Sequence, residues 1–286
     1  HIGAWRRVLG GRALFLQETH NMAIDPAAIE AGADRLFTLF EKGGQADGLP
    51  DACAGLSVAD GYAIQKSLLA RLTGDIERAR VGYKIGATNA VARQLLNADH
   101  PFHGSLLADR CYRSPAVLDS ARLNKLAIEP ELALVLGADL PAGVDPHTAD
   151  SVAGAVANVV PALEIVDSRF AAWTEVGLPS LVADNGVNAF WIEGTARPLA
   201  GIDLTAQQVS VARNGVTEHE GVGGNVDGGP LGVLAWLANM LNRQGEMLKK
   251  GQKISTGTLT PVIAAAPGDN LEADFGALGT VAVSFR

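Results

Sequence analysis

The order of helical and strand patterns along this chain constrains its fold more than any other feature. Two amphipathic helices are predicted first, one from the cap at Asp25-Pro26 and one from the capping box Ser57–Asp60, and each ends at a glycine. From residue 125 onward the pattern is largely that of β-strands, and the longest candidate covers Leu126–Leu136. Helices that precede a run of strands favour an α+β fold over a repeating βαβ arrangement.

The remaining elements follow from periodicity and turn signals. Asn214-Gly215 predicts a type I′ hairpin between 209–212 and 216–218. Gly221–Gly229 lacks the spacing of a dinucleotide fingerprint, and we expect a flexible loop or lid there. Further strands are predicted at 81–88, 161–168, 189–193, 253–260 and 280–285, and further helices at 90–96, 149–159 and 231–241.

Composition excludes several classes of protein. The net charge of −8 and the lack of a lysine or arginine run argue against nucleic-acid binding. No stretch approaches the length of a membrane-spanning helix, so we expect no membrane partner. Cys53 and Cys111 leave a single bridge as an alternative, but we expect free thiols in a reducing cytoplasm.

We predict three regions along the 286 residues: a leader at 1–21 that is non-native or mis-assigned, a helical N-terminal region at 22–80, and a catalytic β-rich domain at 81–286. The leader carries three arginines against one glutamate, and its apolar runs are too short for a secretory signal. A targeting signal is the alternative interpretation of this segment.

The segment Ile128-Glu-Pro-Glu131 is the most informative for chemistry. Residues i and i+2 of a strand share a face, so Glu129 and Glu131 should stand side by side. Pro130 donates no ladder hydrogen bond, which predicts a sheet edge or a bulge at this point. Taken alone, the pair could equally be a solvated strand face.

Two further residues bear on the interpretation of this pair. Glu164 lies between Leu163 and Ile165 in a predicted buried strand, where an unpaired carboxylate is costly; Arg169 is the alternative partner for it. Three glutamates on two strands form an oxygen-donor set suited to Mg²⁺ or Mn²⁺. Lys84, in a strand flanked by glycines, could reach solvent or meet an anionic ligand.

These segments resemble, in order and spacing, blocks of the 2-keto-4-pentenoate hydratase and 4-oxalocrotonate decarboxylase family, within the fumarylacetoacetate hydrolase superfamily. The resemblance runs from about Ser57 to the C-terminus. It is carried by Ser57–Gln65, Gly82–Gly86, Ile128–Glu131, Ala162–Arg169, Ala183–Asn185, Leu234–Asn239 and residues 251–258.

The resemblance implies a mixed β-sheet roll with a small helical N-terminal region, and a homo-oligomer. It implies Mg²⁺ or Mn²⁺ held by Glu129, Glu131 and Glu164, a 2-oxo acid as ligand, and Lys84 at the substrate carboxylate or in proton transfer. It also implies that Thr256, Gly257 and Thr258 contribute donors to the substrate.

The expected activity is a hydro-lyase that hydrates a 2-hydroxydienoate to a 4-hydroxy-2-oxo acid in aromatic-compound catabolism. Two departures from the family pattern keep alternatives open: Phe102 stands where hydratases commonly carry an acid, and Gly186-Val187-Asn188 replaces a segment that often carries serines. His103 is a candidate replacement acid or base. The alternatives are decarboxylation of a 4-oxalocrotonate-like diacid, hydrolysis of a C–C bond in an acylpyruvate, and a non-catalytic binding relative.

Overall fold

The structure is a computed structural model that describes residues 24–143 and 145–286; the predicted leader at 1–21 lies outside them. Seven α-helices occur within these residues, and most are short. They are α1 (Pro26–Lys42), α2 (Val58–Thr73), α3 (Ile76–Ala79), α4 (Ala90–Leu95), α5 (Ala149–Ala153), α6 (Leu178–Ala183) and α7 (Gly229–Arg243).

The strands form two mixed sheets. They are β1 (Arg80–Gly86), β2 (Phe102–Leu107), β3 (Cys111–Arg113), β4 (Ala116–Leu118), β5 (Ala127–Leu136), β6 (Val156–Val166), β7 (Asn188–Glu193), β8 (Arg197–Pro198), β9 (Gln208–Arg213), β10 (Val216–Val222), β11 (Lys253–Thr258), β12 (Ile263–Ala264), β13 (Asn270–Asp274) and β14 (Thr280–Phe285). The larger sheet has the order β2-β1-β11-β5-β6-β7-β3, with β12 added to β5 and β8 to β6. The smaller has the order β10-β9-β13-β14-β4. This architecture confirms the predicted α+β roll.

The larger sheet curls around a small interior. Side chains from β2, β5, β6 and β7 meet there in an apolar cluster of Leu106, Ala133, Val160, Ala162 and Trp191. The main core lies outside the curl, where the two sheets and α7 pack together. The curl therefore gives the larger sheet an inner face that can hold a site, while its outer face stabilises the fold.

The two capped helices are confirmed. Asp25 accepts a hydrogen bond from the Ala27 amide at the start of α1, and Ser57 and Asp60 form the capping box of α2. A third short helix, α3, precedes the first strand and was not predicted. The Asn214-Gly215 hairpin is also confirmed, since both residues have the positive φ that its turn requires.

Two predictions are wrong. The helix expected at 149–159 ends at Ala153, and the chain enters β6 at Val156 because the β-branched run that follows pairs with β5. The glycine-rich stretch Gly221–Gly229 is not a lid. Its glycines allow close backbone packing, since a Cβ at Gly223 would lie 1.8 Å from the Leu204 carbonyl oxygen.

Pro130 lies on β5, an interior strand of the larger sheet, and the bulge is on the neighbouring strand β11. β5 pairs with β6 on one side and β11 on the other, so the predicted edge position is wrong. The Pro130 carbonyl accepts a hydrogen bond from the Leu259 amide, on the β11 side of the strand. The nitrogen and the carbonyl of one residue in an antiparallel strand point to the same side, so the proline nitrogen also faces β11. The register of β11 shifts between Ser255 and Thr258, where the missing N–H would otherwise have paired.

The helical N-terminal region packs behind the larger sheet. α2 contacts α6 so closely that a Cβ at Gly61 would lie 2.4 Å from the Pro179 carbonyl oxygen. The buried Gln65 amide donates to the backbone carbonyls of His103 and Val182, which ties α2 to both β2 and α6. Within the described residues, no helix has both the length and the apolar character needed to span a bilayer.

Candidate metal centre and active site

The three predicted glutamates meet on the inner face of the larger sheet. Glu129 and Glu131 alternate with Pro130 along β5, and Glu164 is the direct cross-strand partner of Glu129 on β6. Each side chain offers one carboxylate oxygen, and these three oxygens lie within 4.8 Å of one another. The strand period and the register therefore bring together residues that are 35 positions apart in sequence.

Among the described residues, one buried lysine offsets part of the negative charge of the carboxylates. The Lys84 ammonium nitrogen lies 3.2 Å from Glu164 Oε1, and both side chains are buried. One cation cannot balance three carboxylates at this depth, where uncompensated charge is costly. Within the described part of the chain, Glu131 Oε1 and Glu164 Oε2 are buried with no hydrogen-bond partner. Two orphaned oxygens beside excess negative charge fit a divalent cation.

The electrostatics of the cluster are dominated by burial. Burial and the charge of Glu164 raise the pKa of Glu129 to about 7, while Lys84 opposes this shift. Burial, Glu164 and Glu129 raise the pKa of Glu131 well above its usual range. Burial opposes the charge on Lys84, but the carboxylates of the cluster outweigh it and raise the pKa of that amine.

A left-handed turn between α6 and β7 completes the surroundings of the lysine. Asn185, Gly186 and Val187 have φ values of 52°, 63° and 58°, a strained conformation for β-branched Val187. The turn places the Gly186 carbonyl 2.9 Å from the Lys84 ammonium nitrogen, and it aims Asn188 Nδ2 at Glu164 Oε1 at 3.0 Å. The turn therefore fixes both members of the Lys84–Glu164 pair.

A buried ion pair anchors the start of this turn. Arg169 Nε lies 2.5 Å from Asp184 Oδ1, and the Arg169 amide also donates to the Asp184 carboxylate. Arg169 is therefore not the partner of Glu164, which was the alternative that the sequence left open. That alternative is wrong because Arg169 follows the end of β6 and its buried side chain pairs with Asp184 instead.

A pocket opens from the carboxylates towards solvent. Its volume is about 40 Å³, and it is lined mainly by apolar side chains. Lys84 and Glu129 are the charged residues among the described positions that line it. The others are Ile85, Gly86, Ala87, Thr88, Asn89, Ala92, Leu95, Leu96, Phe102, Val166, Trp173, Val187, Gly257, Thr258 and Val262.

Of the three predicted substrate-binding residues, the structure brings two to this pocket. Gly257 and Thr258 line it, at the bulge of β11. Thr256 is buried elsewhere, and its hydroxyl donates to the Leu132 carbonyl of β5. Neighbouring strand residues face opposite sides of a sheet, which separates Thr256 from Gly257. The register shift of β11 between Ser255 and Thr258 interrupts this alternation, so Thr258 lines the pocket as well.

His103 does not reach the carboxylates. It is the cross-strand partner of Ile85, so its ring lies on the face of the sheet opposite Lys84. The ring stacks on Tyr62 at a centroid distance of 4.5 Å. Burial lowers the pKa of His103 to about 3. The structure gives no support for His103 as a replacement acid or base.

Sequence reasoning missed two residues of the site. Asn188 donates to Glu164, and the Ser255 hydroxyl hydrogen-bonds the Glu131 carboxylate. Ser255 had a usable signal, because it alternates with Gly257 on a strand that the resemblance placed beside the site. Asn188 lies in the segment Gly186-Val187-Asn188 that departs from the family pattern, but its contact with Glu164 depends on the left-handed turn before it.

Comparison with known proteins identifies the class. The model of the family described as fumarylacetoacetate (FAA) hydrolase C-terminal matches residues 107–286, more than half of the chain. The chain therefore belongs to the fumarylacetoacetate hydrolase superfamily, and its curated relatives place it with the 2-keto-4-pentenoate hydratases and 4-oxalocrotonate decarboxylases.

Two curated relatives carry hydratase names. The chain is 34% identical over 263 residues to a 2-keto-4-pentenoate hydratase of Paraburkholderia xenovorans, covering 91% of this chain and 96% of the relative. It is 32% identical over 265 residues to a 2-hydroxyhexa-2,4-dienoate hydratase of Comamonas testosteroni, covering 91% and 98%. The predicted family is confirmed.

A solved structure agrees over the same length. It is 4-oxalocrotonate decarboxylase from Pseudomonas putida G7 complexed with magnesium and adipate, with a TM-score of 0.86 and 27% identity. The similarity covers 93% of this chain and all of that one, so the helical N-terminal region is included. This match confirms the predicted fold.

Proposed function

We propose that this chain is a divalent-metal-dependent hydro-lyase of the 2-keto-4-pentenoate hydratase type, acting on a 2-hydroxydienoate in aromatic-compound catabolism. The observation that carries the proposal is the cluster of three carboxylates with one lysine beside it, from which Glu129 and Lys84 line an apolar pocket. The names of the curated relatives support the same activity. A cytoplasmic location and a homo-oligomeric state remain predictions.

Glu129, Glu131 and Glu164 would hold the cation, which we expect to be Mg²⁺ or Mn²⁺ because their ligands are oxygens. The magnesium in the decarboxylase structure of similar fold supports this choice. When bound, the cation would stabilise the negative charge that develops on the oxygen of a 2-oxo acid.

Lys84 would hold the substrate carboxylate or move a proton. Its ammonium is fixed by Glu164 Oε1 and by the Gly186 carbonyl, and its side chain also lines the pocket. The neighbouring carboxylates keep it charged in the absence of substrate. Gly257 and Thr258 would contribute donors from the bulge of β11 on the other side of the pocket.

The pocket wall favours a substrate with one carboxylate. Beyond Lys84 and Glu129, the described residues that line it carry no charge, and Leu95, Phe102 and Val262 are apolar. A vinylogous diacid would bring a second carboxylate that these side chains do not pair, at a cost in desolvation. The lining therefore favours hydration of a monoacid over decarboxylation of a 4-oxalocrotonate-like diacid.

The activity is tested by incubating the purified protein with 2-hydroxypenta-2,4-dienoate and Mg²⁺ and following the loss of ultraviolet absorbance. Magnesium-dependent turnover is expected, and EDTA should abolish it. Release of carbon dioxide from 4-oxalocrotonate, with no turnover of the dienoate, would identify a decarboxylase instead. Metal binding without turnover of either compound would identify a non-catalytic relative.

The metal site is tested separately by calorimetry with Mg²⁺ and Mn²⁺. Glu129→Gln and Glu164→Gln should each weaken metal binding by at least about tenfold, because each removes a charged oxygen ligand. Glu193→Gln is the matched control, since Glu193 lies on the same sheet but pairs with Lys253 outside the cluster. Unchanged affinity in both cluster variants would show that the three-carboxylate site is wrong.

A further inference from the structure

A chain of buried hydrogen bonds runs from one carboxylate of the cluster into the interior of the roll. The Ser255 hydroxyl on β11 contacts Glu131 Oε2, and the Trp191 indole nitrogen on β7 lies 2.9 Å from the same hydroxyl oxygen. The side chains of Trp191, Ser255 and Glu131 come from three different strands, and all three residues are fully buried. No solvent competes for these bonds.

The direction of each bond in this chain follows from the chemistry of its members. An indole N–H can only donate, so the Ser255 oxygen must accept from Trp191. When Glu131 is ionised, as a metal ligand must be, its carboxylate only accepts, so the single hydrogen of the hydroxyl is directed to it. Trp191 therefore sets the orientation of a hydroxyl that it shares with a residue of the carboxylate cluster.

The arrangement leaves the two oxygens of Glu131 in different states. Oε2 is held by the serine, whereas Oε1 has no partner among the described residues and belongs to the buried cluster. A carboxylate that is fixed at one oxygen presents the other in a defined direction. Outer partners of this kind commonly orient the ligands of metal sites.

We propose that Ser255 and Trp191 are positioning residues that orient Glu131 for a divalent cation, with Trp191 acting through the Ser255 hydroxyl. This inference rests on the proposed metal site. It assigns to Trp191 a role beyond apolar packing, although its ring also fills the interior of the roll beside Leu106 and Val160. The two roles of Trp191 can be separated, because phenylalanine retains most of the ring and removes the N–H.

The test measures Mn²⁺ and Mg²⁺ dissociation constants by electron paramagnetic resonance and calorimetry in Ser255→Ala, Trp191→Phe and the double variant. Ser255→Ala should weaken binding about 10- to 100-fold, as loss of an outer partner does. Trp191→Phe should weaken it about 3- to 10-fold, the effect of one neutral hydrogen bond. In the Ser255→Ala background, Trp191→Phe should have no further effect on metal affinity.

The coupling between the two substitutions decides the inference. If their effects on the dissociation constant multiply, Trp191 acts independently of Ser255 and the proposed chain is wrong. If neither variant changes metal affinity, the positioning role is wrong as a whole. Trp236→Phe is the matched control for the indole substitution, since Trp236 lies on α7 and packs against the main core; its metal affinity should stay unchanged.

A measurement on the unsubstituted protein avoids the risk that Ser255→Ala fails to fold. The indole ¹⁵N–¹H resonance of Trp191, identified by its absence in Trp191→Phe, should shift when Mg²⁺ is added. No shift at saturating Mg²⁺ would overturn the inference. The Glu129→Gln and Glu164→Gln variants test the proposed site independently: if they lose metal affinity and Ser255→Ala does not, the site stands and this inference alone fails.

Discussion

At the scale of single residues, Lys84 is the side chain on which the proposed chemistry depends most. Its side chain is buried from solvent and pairs with Glu164, and it also lines the pocket. Its charge offsets part of the carboxylate cluster when no other cation is present. Whatever its role with substrate, removing it changes the charge of the site without altering the three glutamates.

We expect Lys84→Met to lower kcat/KM by about 100-fold or more, the usual contribution of a proton-transfer group, while metal affinity is retained or increased. Affinity is retained because the substitution removes a cation that repels the metal and keeps the three carboxylates. Steady-state kinetics and calorimetry measure the two effects. Lys253→Met, in a lysine that pairs with Glu193 at the other end of β11, should leave kcat/KM within a few-fold of the unsubstituted value. Normal kinetics for Lys84→Met would remove Lys84 from the active site.

His103 makes stability depend on pH. Burial lowers its pKa in the folded protein to about 3, and the charge of Arg80 on β1 acts in the same direction. The rings of Tyr62 on α2 and Tyr83 on β1 contact it, and burial raises the pKa of both phenols. The unfolded chain therefore binds a proton below pH 6.5 that the folded chain does not. Through this group, the free energy of unfolding should fall by up to about 1.4 kcal/mol per pH unit as pH falls from 6.5 to 4.

His103→Phe should remove this contribution, because the proton-binding group is lost from both states, so the free energy of unfolding of the variant should rise relative to that of the unsubstituted protein as pH falls from 6.5 to 4. Urea denaturation at several pH values measures it. His100→Phe, in an exposed histidine, serves as the control and should retain the slope of the unsubstituted protein. Equal slopes for the unsubstituted protein and His103→Phe would contradict the assignment of His103 as a buried neutral ring.

At the scale of elements, the bulge in β11 shapes one wall of the pocket. Gly257 has a φ of 102°, and a Cβ there would lie 1.9 Å from Thr88 Oγ1. We expect Gly257→Ala to lower the free energy of unfolding by about 1–3 kcal/mol through backbone strain and this clash, and to raise KM because Thr88 and Thr258 must move.

Gly251→Ala separates strain from the clash. Gly251 lies just before β11 and has a similar positive φ of 88°, but no atom lies within 4 Å of an added Cβ. It should lower stability with little change in KM. Thermal denaturation and steady-state kinetics of the two variants provide the comparison, and an equal KM for both would argue against a role of the bulge in substrate binding.

The elements themselves were predicted unevenly. The capped helices α1 and α2 and the hairpin at Asn214-Gly215 follow from local signals, so the sequence was sufficient for them. The boundary between α5 and β6 was missed, because the segment after Ala153 is drawn into a sheet by pairing with β5. The local hydrophobic periodicity of a segment does not predict with which strand the segment will pair.

At the scale of the whole molecule, the helical N-terminal region supports the site from behind. α2 packs on α6, and α6 leads into the left-handed turn that holds Lys84 and Glu164 through Gly186 and Asn188. The contact at Gly61 is therefore connected to the carboxylate cluster through α6 and the left-handed turn that follows it. A displacement of α6 should therefore shift the positions of Lys84 and Glu164.

Gly61→Ala tests this connection. Alanine ordinarily favours a helix over glycine by about 1 kcal/mol, but here its Cβ would lie 2.4 Å from the Pro179 carbonyl oxygen. We expect a net loss of about 1–3 kcal/mol of stability together with a lower kcat/KM. Gly154→Ala, at the end of α5 with no atom within 4 Å of the added carbon, should be neutral in both. Unchanged kinetics in a destabilised Gly61→Ala protein would restrict α2 to a structural role.

By itself, the sequence determined the family and the α+β class and singled out the three glutamates as candidate metal ligands, because strand alternation and the spacing of the motifs are local properties. The register that sets Glu129 opposite Glu164, the pairing of Lys84 with Glu164, and the contacts of Ser255 and Asn188 were decided by tertiary structure alone. They depend on which strands become neighbours and on a left-handed turn whose strain is maintained by the buried Arg169–Asp184 pair. Such contacts join residues far apart in the chain, and their free energy is gained only when the sheet closes around them.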